Sequence, residues 1–123
     1  MLRNFILVGL GGAIGSMLRY LVTVLLPRAS TASFPLATLT VNFIGCFVIG
    51  ALAGFTLRVP WMTHYGWALL ATGVCGGFTT FSAFGLDGIK LIESGATGTM
   101  LAYTMISVCG GILLCFGGYF LTK

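Results

Sequence analysis

Asn42, Thr80, Ser82, Tyr103 and Ser107 are amide and hydroxyl side chains set among long apolar stretches. A polar group stranded in an apolar medium is costly, so each must be hydrogen-bonded or face a polar cavity. All five can donate, and Arg19 adds a positive charge inside an apolar run. Such a set favours a small anion over a cation, because donors held in place can stand in for the water an ion gives up. Phe81 and Phe84 are three residues apart and share a helix face. Ring edges are positive and ring faces negative, so edge-on rings attract an anion weakly. Dense core packing accounts for the pair equally well.

Other chemistry finds little material. There is no paired carboxylate, no nucleophile beside a base and no cofactor motif, so an enzyme is not expected. Cys46, Cys75, Cys109 and Cys115 all fall in apolar runs without a Cys-x-x-Cys pair, and the lone His64 lies beside a loop. The cysteines read as small buried hydrophobes, neither a disulfide framework nor a thiolate metal site. The formal charge of +4 is spread over loops and termini, which suits interfacial anchoring and gives nucleic acid no basic cluster.

The elements that hold these residues are legible from hydropathy. Of 123 residues, 58% are hydrophobic and 7% charged, against about 25% charged in a typical soluble domain. A helix crossing the hydrocarbon core needs about 20 mostly apolar residues. Four stretches qualify, predicting an all-α membrane protein with helices at about 4–26, 36–57, 63–90 and 96–121, in one transmembrane domain over 1–123. A barrel would show short alternating segments instead. The first run lacks a convincing cleavage site and precedes three like it, so a signal peptide is not expected. Gly11 and Gly15, and again Gly50 and Gly54, have the four-residue spacing of closely packed membrane helices. The connection "PRASTASFP" places Pro27 and Pro35 around small polar residues, as a loop would.

The third stretch contains "CGGFTTFSAF", residues 75–84. Glycine pairs are a known cause of kinks, and a break near 75–80, close to the midplane, is expected. Non-helical backbone survives in a membrane only where protein or water satisfies it. A break there frees carbonyls that can hold a cation and starts a new helix whose amides carry positive potential. An ordinary kink without a ligand is the plain alternative. Asp87 follows near the span's end, where a basic partner or the interface is within reach. In the last span Tyr103 and Ser107 are one turn apart, and their face continues through Gly111 and Cys115 as a polar track beginning at one end. Helix contact explains the glycines equally well.

Four spans put both termini on one side. Arg3, Arg58 and Lys123 flank that side, while Arg28 and Lys90, with Arg19 toward them, flank the other. Orientation follows an imbalance of Lys and Arg, and this tally barely offers one. Either the near-balance is chance in a short protein, or the chain inserts both ways up and two copies meet as an antiparallel dimer.

The stretches "GGAIGSMLRY" (11–20), "TLTVNFIG" (38–45) and "GVCGGFTTFSAFGLD" (73–87), with the glycine-centred last helix, resemble the Fluc (CrcB) family of bacterial fluoride channels over nearly the whole length. The resemblance implies an antiparallel, dual-topology homodimer in the bacterial inner membrane, with two narrow pores for passive fluoride efflux and fluoride resistance. It implies that Asn42 donates to the permeating ion, that Phe81 and Phe84 turn ring edges toward it, and that Tyr103 and Ser107 begin the track. It further implies that Gly76 and Thr79 give backbone carbonyls to a central structural sodium ion (Na+), and that Arg19 lies near a vestibule. Ala83, Gly85 and Asp87 depart from the family's usual Thr, Ser and Glu, and Gly111 and Cys115 stand where Ser and Thr are common. A heteromeric channel with a homologous partner is one alternative, and a small dual-topology multidrug-type exporter or a purely structural partner is another. The exporter would bind its substrate with an acid in mid-helix, which this chain lacks.

Overall fold

The structure is a computed structural model that describes residues 1–26 and 33–123. The loop residue Pro27 and the flanking charge Arg28 lie outside the described residues. Five helices follow in order: α1 (Leu2–Leu25), α2 (Leu36–Phe55), α3 (Trp67–Cys75), α4 (Phe81–Glu93) and α5 (Thr97–Thr122). A 3₁₀ turn, Pro60–Thr63, leads toward α3. α3 is wound as a π-helix and runs on into a single α-helical turn, Gly76–Phe78. Taken across the break, α3 and α4 form one span, so among the described residues four segments are long and apolar enough to cross a membrane. The protein is an all-α, multi-pass membrane protein with an interrupted third span.

Packing is pairwise. α1 lies along α3, and α2 lies along α5. Both pairs run parallel: Gly11 meets Leu69 and Gly73 while Gly15 meets Val74 and Phe78, and Gly50 meets Cys115 while Gly54 meets Tyr119 and Thr122. Residue numbers rise together along each seam, as they must for helices separated by one return crossing. The four-residue glycine spacing therefore marks helix contact, where small residues let backbones approach and dispersion holds them. At Gly50 the approach is so close that a methyl group would strike the Cys115 carbonyl. One hydrogen bond ties the end of this seam, from the Thr122 hydroxyl to the Ala51 carbonyl at 2.8 Å.

Outward faces stay apolar. Phe5, Leu10, Met17 and Leu21 on α1, and Leu101, Met105, Leu113 and Phe120 on α5, are exposed. In a membrane-spanning chain such faces are covered by lipid or by another protein. At the terminal end, the Arg3 guanidinium lies 3.6 Å from the centre of the Tyr65 ring, and Arg58 donates to the Lys123 carbonyl.

The break falls within the expected 75–80 window but not at its glycines. Gly76 keeps helical angles (φ −62°, ψ −37°), whereas Thr79 (φ −75°, ψ 157°) and Thr80 (φ −151°, ψ 116°) are extended. Gly77 has a different task. Any side chain there would press on the Gly12 backbone of α1.

Candidate functional site

The interruption is held from a neighbouring helix. Asn42, on the second turn of α2, donates from Nδ2 to the Thr80 carbonyl at 3.0 Å, and its Oδ1 accepts from the Thr80 amide at 2.8 Å. One primary amide thus gives the Thr80 amide the acceptor that the interrupted helix no longer supplies, and adds a second bond to a carbonyl that already opens α4. The Thr79 amide still closes the preceding turn on the Cys75 carbonyl at 2.9 Å. Thr80 also caps the next helix: its hydroxyl oxygen accepts from the Ala83 amide at 3.2 Å and lies 3.2 Å from the Ser82 hydroxyl. This is the usual N-cap chemistry, in which a Thr oxygen takes one of the unbonded first-turn amides. The capping makes Thr80 a structural acceptor as well as the donor expected from its sequence.

The break opens onto a cleft of about 380 Å³. Asn42, Thr79, Thr80, Phe81, Phe84, Gly76 and Ser107 all line it, together with Cys46. Seven of the residues singled out from the sequence are therefore brought to one cavity. The Ser107 hydroxyl oxygen is buried there without a hydrogen-bond partner. Asn42 keeps a second Nδ2 hydrogen that its bond to Thr80 does not use.

Phe81 and Phe84 stand side by side with centroids 5.5 Å apart and planes 30° apart. Phe84 in turn meets Tyr103 at 5.0 Å, and Tyr103 meets Phe34 edge-on at 5.4 Å. The pair is the break-side end of a row of four rings that reaches to the start of α2. Phe81 is 83% exposed, so it is not packed into the core of a single chain.

Tyr103 is placed outside the cleft, behind Phe84. It is completely buried, with its hydroxyl beside the Thr38 hydroxyl and the Asp87 carboxylate. Close by, the Thr38 hydroxyl donates to Asp87 Oδ2 at 2.6 Å, linking α2 to α4. The sequence suggests a basic group or the interface for Asp87, and among the described residues its hydrogen-bond partner is this threonine. Thr38 was not singled out from the sequence. The signal was present: it lies four residues before Asn42, on the same face of α2.

Arg19 donates from Nη1 to the Thr79 carbonyl at 3.4 Å. It lines a second cleft of about 280 Å³ with Tyr20, Thr23, Thr38 and Thr80, on the other side of the break. The two clefts share Thr80. Its long stem lets a helix-borne guanidinium reach a carbonyl freed by the break.

The family described as "CrcB-like protein, Camphor Resistance (CrcB)" matches residues 6–119. The chain belongs to the CrcB family. The fluoride-specific ion channel FluC of Azobacteroides pseudotrichonymphae is similar to it at 42% identity over 123 residues, covering 100% of this chain and 98% of the relative. The FluC of Methylobacillus flagellatus is 47% identical over 118 residues, covering 95% of this chain and 92% of its own length. That of Rhizobium meliloti is 44% identical, with 99% and 98% covered. The resemblance read from the motifs is thus sound along the whole chain. These CrcB relatives carry the name of a channel, in keeping with the expectation that the chain is not an enzyme.

Proposed function

We propose that this chain forms a fluoride-selective channel for passive efflux, protecting a bacterial cell from fluoride, as an antiparallel homodimer in the inner membrane. The observation that carries the reading is the gathering of Asn42, Ser107, Phe81 and Phe84 around one cleft beside a helix break. Fluoride is strongly hydrated, so its main barrier is loss of water, and only groups already held in place can repay it. The free Nδ2 hydrogen of Asn42 and the unpartnered Ser107 hydroxyl are such groups. The edges of Phe81 and Phe84 add weaker positive potential while keeping water out. α4 begins at the same place, and the first amides of a helix favour an anion.

The dimer supplies what one chain lacks. The cleft is open along the side where Phe81 projects, so a second wall is required for a closed path. Near-equal Lys and Arg on the two sides allow copies of opposite orientation to meet there.

A structural Na+ fits the chemistry of the break. Because the Thr80 amide is spent on Asn42, the Gly76 carbonyl has lost its ordinary helical donor, and Gly76 is exposed beside the cleft. Gly76 and Thr79 would offer it carbonyl oxygens, the ligands hard cations take, and the ion would neutralise facing carbonyl dipoles where two breaks meet. Arg19 already rests against the Thr79 carbonyl, so that oxygen would be shared.

The test is anion efflux from liposomes holding the purified chain alone. Fluoride should leave rapidly and chloride negligibly, and Phe81→Ile should slow fluoride at least about tenfold. Folded dimers that release no fluoride would sink the homodimeric channel, and release only with a homologous partner would make it one subunit of a heteromer. Unchanged flux in Phe81→Ile would remove the rings from the path.

A further inference from the structure

We propose that the Cys46 thiol is a donor on the fluoride path, taking the step beyond Ser107 that α5 leaves without a side chain at Gly111. The inference rests on the channel reading above and adds a residue to it.

α2 and α5 both line the cleft. α5 presents Ser107, and the next position on that face is Gly111, which offers no side chain. α2 presents Asn42, and the next position on its face is Cys46. The Cys46 sulfur fills the space opposite the gap: a Cβ placed on Gly111 would lie 3.3 Å from it. Cys46 lines the same cleft as Asn42 and Ser107, and it is free and only partly buried. The buried, unpartnered Ser107 hydroxyl marks this wall as one that needs a ligand to complete its hydrogen bonding. An S–H group is a weak donor but still a donor, and it can turn toward an ion that has left Ser107. The glycine and the cysteine thus compensate each other: α5 gives up a side chain, and α2 fills the room with a thiol.

The alternative is that Cys46 is a small packing residue, as its apolar surroundings first suggested. Fluoride efflux from liposomes separates the two. Cys46→Ala should slow fluoride at least about threefold, the weight of one weak hydrogen bond. Cys46→Ser, which restores a donor of similar size, should match or exceed the wild type. Methylmercury chloride, a small neutral thiol reagent, should inhibit the wild type and the Cys109→Ala variant but leave the residual flux of Cys46→Ala unchanged. High fluoride should slow that inhibition relative to gluconate. Wild-type flux in Cys46→Ala, or equal mercurial inhibition with and without Cys46, would overturn the proposal while leaving the channel standing. A wild type that passes no fluoride would remove the channel reading and this step with it.

Discussion

The α2–α5 seam and the interruption between α3 and α4 solve opposite problems. Along the seam the backbone is helical, so the contact needs only small residues and close approach. Gly50 lets the Cys115 backbone in, and Thr122 to Ala51 is a hydrogen bond at the very end. At the interruption the helix no longer satisfies its own backbone, and other helices must reach in. Asn42 comes from α2, Arg19 from α1, and Thr80 turns its own hydroxyl back on the next helix start. A tight seam is a matter of shape, whereas a stable break is a matter of hydrogen-bond supply. The polar groups able to handle an ion gather where the break faces the upper part of this seam, at Asn42 and Ser107, and not at its tightly packed glycine end.

The largest effect should come from spoiling the shape. Gly50→Leu drives a branched side chain into the Cys115 carbonyl, a contact with backbone that cannot swing aside. Overpacking a tight contact is strongly destabilising, and here both helices would have to separate. The expected outcome is loss of a monodisperse species in detergent by size-exclusion chromatography. Recovery of well-folded protein would mean that the seam is looser than its glycines indicate.

Asn42→Ala should be milder for folding and severe for transport. It removes both bonds that hold Thr80 extended, leaving the part-buried Thr80 amide without an acceptor at a cost of about 1–3 kcal/mol. The folded protein should unfold at a lower temperature, and fluoride efflux should fall at least about tenfold. Wild-type thermal stability would show that the break stands without the clamp, and the contrast between shape and hydrogen-bond supply would fail.

How much of this was readable beforehand follows the same division. Shape leaves a periodic trace: Gly11 with Gly15 and Gly50 with Gly54 announced the seams, and the apolar stretches announced four spans. The break was legible in place but not in cause. Gly76 and Gly77 looked like its origin, yet Gly76 keeps helical angles and Gly77 admits Gly12, while the extended residues are the two threonines. The cause is an amide thirty-odd positions earlier in the chain, and no local pattern encodes which helix will deliver it. Asp87 shows the same blind spot, since an acid suggests a base and its partner is a hydroxyl on another helix. Phe34, one ring of the four-ring row, carries no spacing signal relative to Tyr103 because the two meet only through tertiary packing.

The smallest effect should come from Thr38→Val, which keeps the shape of the side chain and deletes its donor. The variant leaves Asp87 without its 2.6 Å hydrogen bond while filling nearly the same volume on α2. A hydrogen bond of this kind contributes roughly 1 kcal/mol net, so thermal stability should drop slightly and fluoride efflux by about threefold. Thr104→Val is the matched control, because among the described residues Thr104 bonds within α5, to the Met100 carbonyl and, more distantly, to its sulfur. Deleting that hydroxyl leaves a carbonyl the helix already satisfies, and neither stability nor flux should move appreciably. If the two valine variants behave alike, a hydroxyl reaching between helices is worth no more than one bonding within its own. The α2–α4 link would then be incidental, and the work at this end of the fold would pass to the ring row alone.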